Sequence, residues 1–127
     1  RVTLSGAYVQ ADAPQIFRSA SLLLHTKYND PCPTVVLEAL ACGLPVVYSA
    51  TGGVPELVGA DAGIGVPGEV RWDRDVPPDA DALADAVLTV TAHYETYRDA
   101  ARQRAVAHFD TTPWLGRHAE VFGRLAA

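Results

Sequence analysis

The chain has 127 residues and a formal net charge of −5 at pH 7, with no block of like charge. That length suits one domain with a buried core, and the mild acidity argues against nucleic acid or an anionic membrane as the main partner. Its two cysteines suggest no disulfide framework, and neither a signal peptide nor an apolar run of membrane length is visible. A reduced, cytosolic protein is therefore expected.

The first 67 residues alternate short apolar strands with helices. Strands are predicted at residues 2–4, 22–25, 45–49 and 63–66, and helices at residues 14–20, 34–42 and 54–58. Apolar strands separated by helices indicate an α/β fold, a Rossmann-like doubly wound parallel sheet with helices on both faces. Such sheets bind ligands beyond the carboxyl ends of their strands, where the loops that start at Thr26, Thr51 and Pro67 are expected.

The rest of the chain is predicted to be a polar loop at residues 68–79, interpreted as an insertion, and a helical tail at residues 80–127. Asp79 or Asp81 is expected to cap the first tail helix, and a second helix to cover residues 94–108. Thr111 or Thr112 is expected to cap a third. Residues 1–127 thus form a single partial domain. Because the chain starts directly on a predicted strand and has no methionine, we expect it to be a piece of a longer protein.

Residues 30–56 carry most of the functional information. Prolines 31 and 33 keep the turn after Asp30 out of a helical conformation, and Thr34 suits the N-cap or first turn of the helix that Gly43 ends. Glu38 lies in this otherwise apolar helix. Burying an unpaired carboxylate is costly, so Glu38 either reaches solvent or binds a polar group.

Thr34 and Glu38 are four residues apart and share one face of the helix. The helix N-terminus offers free amides and a partial positive charge, which favour an anion. A phosphate at that end, with a carboxylate nearby that accepts from ribose hydroxyls, is a typical way to bind a nucleotide.

Three motifs follow one another in this segment: D-x(7)-E from Asp30 to Glu38, A-L-A-C-G-L-P-V-V at residues 39–47, and G-G-V-P-E at residues 52–56. They resemble the E-x(7)-E pair, the A-x-A-x-G-x-P-V-V run and the G-G-x-x-E loop of retaining glycosyltransferases of the GT-B fold, family 4. The resemblance covers most of residues 1–67 and, more loosely, the helical tail. Asp30 departs from the family pattern, which has glutamate there.

The resemblance implies a partial GT-B C-terminal domain, the donor-binding half of an enzyme that transfers a sugar from a nucleoside diphosphate sugar to an acceptor with retention. Asp30 would contact the sugar hydroxyls and stabilise an oxocarbenium-like transition state. Glu38 would hold the ribose, and the amides of Thr34 and Val35 would meet the diphosphate.

The glycines at 52 and 53 are interpreted in two ways. They let a phosphate or sugar approach bare backbone, or they serve only backbone conformations closed to other residues. Other residues near the predicted site also keep a second interpretation. Asp30 could be only a turn cap, His25 a structural or a catalytic residue, and Lys27 a phosphate contact or a solvated side chain.

The resemblance implies no metal or other cofactor, because the nucleotide sugar is the donor substrate, and the four histidines show no metal-ligand spacing. The acceptor domain and a cationic arginine–lysine clamp would lie outside the chain, so the chain alone is expected to be inactive. Peripheral membrane contact through the acceptor domain stays open. Two other readings also stay open, a degenerate module that binds nucleotide sugar without turnover and a domain of the GT-B epimerase or phosphorylase type.

Overall fold

The computed structural model describes residues 2–126 and contains a small parallel sheet between helices. The strands are β1 (Leu23–His25), β2 (Val46–Ser49) and β3 (Gly63–Val66). The helices are α1 (Ala13–Ser19, after a 3₁₀ turn at Gln10–Asp12), α2 (Thr34–Ala41), α3 (Val54–Val58), α4 (Ala80–Ala92), α5 (Tyr94–His108) and α6 (Thr111–Leu125).

The sheet has the strand order β1-β2-β3, with both pairs parallel. Alternate residues of the central strand face opposite layers. Val46 and Tyr48 pack in a core with α2, α3 and α5, whereas Val47 packs with Val66 and with Ala86 of α4. The expected α/β fold, with helices on both faces of a parallel sheet and a helical tail, is confirmed.

Helix α2 ends through a glycine turn that leads straight into the central strand. Gly43 has φ = +72°, its amide donates to the Leu40 carbonyl, and the Leu44 amide donates to the Ala39 carbonyl. This is the Schellman arrangement, which glycine favours because it lacks a Cβ. The turn fixes the short connection to β2 and with it the position of α2 against the sheet.

The predicted strand at residues 2–4 is wrong. Val2 and Leu4 are 88% and 92% exposed, and the sheet within residues 2–126 consists of β1, β2 and β3 alone. Alternating apolar residues form a strand only where a neighbouring strand supplies the ladder of hydrogen bonds, and residues 2–4 pair with none of these three. Arg1, which would have preceded this strand, lies outside the described residues.

Two of the three tail helices, α4 and α6, begin at aspartate caps. Asp79 caps α4 as expected, its carboxylate accepting from the Ala82 amide at 2.8 Å. The caps predicted at Thr111 or Thr112 are wrong, because Asp110 takes that position and accepts from the Thr112 amide at 2.8 Å. Asp110 has extended backbone immediately before the helix, which lets its short side chain reach the free amides.

Helix α6 has an apolar stripe that no other element within residues 2–126 buries. The helix has no buried residue, and its large apolar side chains are at least two-fifths exposed: Trp114, Leu115, Val121, Phe122 and Leu125. None of the helices in residues 2–126 is both long enough and apolar enough to span a bilayer.

Candidate functional site

The carboxylate of Asp30 lies at the carboxyl edge of the sheet, in the loop between β1 and α2. Asp30 is 8% exposed, and its Oδ2 lies 3.1 Å from Lys27 Nζ and 3.5 Å from His25 Nε2. The Lys27 side chain is mostly exposed and pairs with the Asp30 carboxylate from the solvent side. A buried carboxylate that has a cation on just one side can still accept further hydrogen bonds.

The Asp30 loop is held in place by the loop that follows β2. The Gly53 amide donates to the Asp30 carbonyl at 2.9 Å, and the Asn29 amide donates to Thr51 Oγ1 at 2.9 Å. Asn29 has φ = +49°, a left-handed conformation that asparagine tolerates better than most residues. The two loops therefore form one unit that fixes the Asp30 backbone.

The two glycines at 52 and 53 allow this contact. A Cβ on Gly52 would lie 2.4 Å from the Asp30 carbonyl oxygen, and one on Gly53 would lie 2.0 Å from the Pro31 carbonyl oxygen. Neither position has room for a side chain. The structure thus gives both glycines a packing role beside Asp30, and the Gly53 amide is already engaged there.

The first turn of α2 follows directly on the Asp30 loop. Pro33 is the N-cap, with extended backbone and no side-chain cap, so Thr34 is a first-turn residue. The Val36 amide donates to the Pro33 carbonyl at 3.1 Å, while the amides of Thr34 and Val35 make no hydrogen bond to another residue in 2–126. These two amides form a helix N-terminus with unused donors at the ligand edge of the sheet.

Glu38 lies one turn further along α2 and does not contact Asp30. It is half-buried and lines a groove of about 360 Å³ between α2, α5 and the start of α6, which Arg102 and Phe109 also line. Within residues 2–126 its carboxylate forms no salt bridge. The structure therefore brings Asp30, the Gly52–Gly53 loop and the first turn of α2 together, and places Glu38 in an adjoining groove.

His25 is the residue at this site whose titration is most affected by the fold. Its side chain is 10% exposed, and burial lowers the pKa of the imidazole below its ordinary value of 6.5. The Asp30 carboxylate opposes this effect on the pKa, and Lys27 adds to it. Because burial dominates, His25 is neutral at pH 7.

We expect the free energy of unfolding to decrease as the pH falls below 6.5. The unfolded chain protonates His25 near pH 6.5, whereas the folded chain does so only at lower pH. Between the two values the unfolded state binds more protons, so stability rises with pH in that window and the contribution is complete above pH 6.5. Denaturant unfolding at a series of pH values should show that the free energy of unfolding depends less steeply on pH in His25→Gln than in wild type. The same pH dependence in both proteins would contradict this.

The loop at residues 68–79 is anchored beside the site by Tyr28, which the sequence did not single out. The Tyr28 hydroxyl donates to the Arg71 carbonyl at 2.7 Å and accepts from the Arg71 amide. Arg71 in turn forms a two-pronged pair with Asp73, with both N···O distances at 2.8 Å. The only signal in the sequence is an aromatic residue in the ligand-edge loop, since the contact joins residues 43 positions apart.

Within residues 2–126, no three histidine, cysteine, aspartate or glutamate side chains are grouped so that they could hold a metal ion.

A family model described as glycosyl transferases group 1 matches residues 1–93. The chain belongs to this family.

Relatives of this group 1 glycosyltransferase chain are much longer. The D-inositol 3-phosphate glycosyltransferase of Mycobacterium avium (strain 104) is 34% identical over 114 residues, which cover 90% of this chain and 25% of that protein. The corresponding enzyme of Corynebacterium jeikeium (strain K411) is 40% identical over 74 residues, or 58% of this chain and 16% of its own length. The chain thus spans about a quarter or less of the curated relatives it matches.

Solved structures of similar fold agree with this assignment. Anabaena HepE in complex with UDP-glucose superposes with a TM-score of 0.70 at 28% identity, covering 91% of this chain and 30% of that one. Sucrose-phosphate synthase from Thermosynechococcus elongatus gives a TM-score of 0.68 at 29% identity, covering 87% and 26%. The expected membership among GT-B glycosyltransferases is confirmed.

Proposed function

We propose that this chain is the donor-binding half of a retaining glycosyltransferase of family 4. The observation that carries the proposal is the buried carboxylate of Asp30 next to the unused amides of Thr34 and Val35. A helix N-terminus suits the phosphates of a nucleotide sugar, and a carboxylate suits the hydroxyls of its sugar. Both lie at the edge where parallel sheets bind ligands.

The donor is a nucleoside diphosphate sugar. Its diphosphate binds the amides of Thr34 and Val35, and its sugar lies towards Asp30 and the loop of Gly52 and Gly53. The ribose lies towards Glu38, whose carboxylate has no salt bridge within residues 2–126 and can accept from a diol. UDP-glucose is the natural first probe, because a similar structure holds that molecule.

Asp30 assists the departure of the diphosphate. When the bond between the anomeric carbon and the diphosphate oxygen lengthens, positive charge develops on the sugar ring, and a fixed carboxylate beside the ring stabilises it. The acceptor oxygen then forms the new bond on the face that the diphosphate leaves, and its proton passes to the departing phosphate. The site residues need no metal or other cofactor for these steps.

The complete enzyme needs more than this chain. A cleft between two domains positions the acceptor and excludes water, and we propose that the acceptor domain and a cationic clamp for the diphosphate lie outside residues 1–127. The complete enzyme is cytoplasmic, with any contact to a membrane surface made through the acceptor domain.

The test is sugar transfer by the full-length protein from UDP-glucose, an α-linked donor, with the anomeric configuration of the product read by NMR. We expect an α-linked product, and no product from the isolated 127-residue chain. A β-linked product would exclude retention. Release of free glucose without transfer would favour the epimerase-type reading, and binding of UDP-glucose without any turnover would favour the degenerate module.

Glu38→Ala should weaken UDP binding by the full-length protein far more than Glu56→Ala does. Losing a carboxylate that accepts from the ribose diol costs about 1.5–3 kcal/mol, whereas Glu56 is exposed in the first turn of α3. Isothermal calorimetry measures the affinity of each variant for UDP, and Glu56→Ala is the matched control. Equal affinities in the two variants would remove Glu38 from the site.

A further inference from the structure

Thr51 carries a buried hydroxyl in the loop that follows β2. Thr51 is 2% exposed and Ser49 is 1% exposed, and their hydroxyl oxygens lie 3.1 Å apart, within hydrogen-bond distance. Oγ1 of Thr51 also accepts from the Asn29 amide at 2.9 Å. Burying a hydroxyl without a hydrogen bond is costly, and here the hydrogen bonds lead from the end of the central strand to the Asp30 loop.

The Thr51 hydroxyl holds a backbone conformation that the chain does not adopt readily. Asn29 has φ = +49°, a left-handed conformation that is uncommon for residues with a Cβ. Within residues 2–126 the Asn29 amide hydrogen-bonds to no other group. Because Asn29 immediately precedes Asp30, a change in its conformation reorients the Asp30 backbone and moves the carboxylate.

The other contacts of the Asp30 loop do not replace this hydrogen bond. The Gly53 amide donates to the Asp30 carbonyl at 2.9 Å, which fixes the peptide after Asp30, whereas the Thr51 hydroxyl fixes the peptide before Asn29. Lys27 reaches the carboxylate with a flexible, mostly exposed side chain. The segment is therefore held at both ends, and the hydrogen bond at the Asn29 end comes from a side chain that a substitution can remove.

We propose that Thr51 is a positioning residue for the reaction, whose hydroxyl acts through Asn29 to aim the Asp30 carboxylate at the transferred sugar. The inference rests on the proposed function, because it assumes that Asp30 stabilises the transition state. A stabilising charge is effective when it is already fixed where charge develops, and a displacement of about 1 Å can reduce a rate by about 10²-fold. The first turn of α2 does not depend on this hydrogen bond, since the fully buried Val36 and Leu40 anchor the helix in the core.

The test measures turnover and nucleotide binding in the full-length protein for Thr51→Val, Thr51→Ser and Asp30→Asn, and for the double variant Thr51→Val/Asp30→Asn. Turnover is the rate of UDP release from saturating UDP-glucose, and the affinity for UDP is measured by calorimetry. Thr89→Val is the matched control, because it makes the same substitution at an exposed threonine whose hydroxyl donates within α4. If Thr51→Val does not fold, Thr51→Ala, which also lacks the hydroxyl, takes its place.

We expect Thr51→Val to reduce turnover by about tenfold or more, with the affinity for UDP within about twofold of wild type. Thr51→Ser keeps the hydroxyl and should retain most of the turnover, and Thr89→Val should change neither value. In the Asp30→Asn background, Thr51→Val should reduce turnover little further, because the charge that it positions is already absent. Such non-additivity is expected of residues that act through one another, whereas a general loss of stability would reduce turnover in both backgrounds.

Hydrogen–deuterium exchange tests the structural link without a measurement of turnover. The segment that contains Asn29 should exchange faster in Thr51→Val than in wild type or Thr51→Ser. Unchanged exchange there, unchanged turnover in Thr51→Val, or the same fold loss of turnover with and without the Asp30 charge would overturn the inference alone. A wild-type protein that binds UDP but releases none from UDP-glucose would overturn the proposed function and this inference with it.

Discussion

Replacing Asp30 with asparagine in the full-length glycosyltransferase is expected to reduce the turnover number by about 10²-fold or more. Asparagine keeps the shape of the side chain and its hydrogen bonding but removes the charge that stabilises a cationic transition state. Since the proposed donor site puts the buried Asp30 beside the sugar and not beside the nucleotide, affinity for UDP should stay near that of wild type. Steady-state kinetics at saturating donor and calorimetry with UDP measure the two effects separately.

Asp30→Glu is the control for this experiment. It keeps the charge and restores the residue that the family pattern has at this position, so it should retain activity. The opposite result for Asp30→Asn, lost UDP binding with turnover preserved at saturating donor, would mean that Asp30 shapes only the phosphate loop.

Gly53→Ala is expected to destabilise the protein by about 3 kcal/mol, at the upper end for overpacked sites. The added Cβ would lie 2.0 Å from the Pro31 carbonyl oxygen, a backbone atom that cannot move away without displacing the Asp30 loop. Gly53 has φ = −92°, which alanine adopts readily, so the effect is steric and not conformational. Denaturant unfolding measures the loss, and turnover should fall with it because Asp30 is displaced.

Gly116→Ala is the matched control in α6. Apart from its chain neighbours and the backbone of α6 itself, no described atom lies within 4 Å of a Cβ built on Gly116, and alanine in a helix interior is favoured over glycine by up to about 1 kcal/mol. This variant should therefore be slightly more stable than wild type. A Gly53→Ala protein as stable as wild type would show that the two loops are not held together as the structure has them.

The sequence predicted those elements of the fold whose signals are local. Helix α2 has an extended Pro33 before it and a glycine turn after it, and β2 is a short run of apolar residues, so each was identified within a residue or two. The strand predicted at residues 2–4 was wrong because a strand depends on a neighbouring strand, which no local pattern reveals. The cap of α6 was missed because Asp110 competes with two threonines that are also good caps.

The candidate site was predicted as residue types, not as contacts. Thr34 and Glu38 follow from their spacing on one helix, and Asp30 from the resemblance to the family motif. The pairing of Asp30 with His25 and Lys27 depends on how a loop folds back on its own strand. The close approach of Gly53 to Pro31 is likewise tertiary. These contacts give a steric reason for glycine at positions 52 and 53. The sequence had suggested two other reasons, a special backbone conformation and the approach of a ligand.

A crystal structure of the full-length protein with UDP-glucose is the most direct test of the proposed donor site. We predict that diphosphate oxygens accept hydrogen bonds from the amides of Thr34 and Val35, and that a glucosyl hydroxyl contacts the Asp30 carboxylate. A diphosphate bound away from the N-terminus of α2, or a glucosyl group that points away from Asp30, would contradict the proposal.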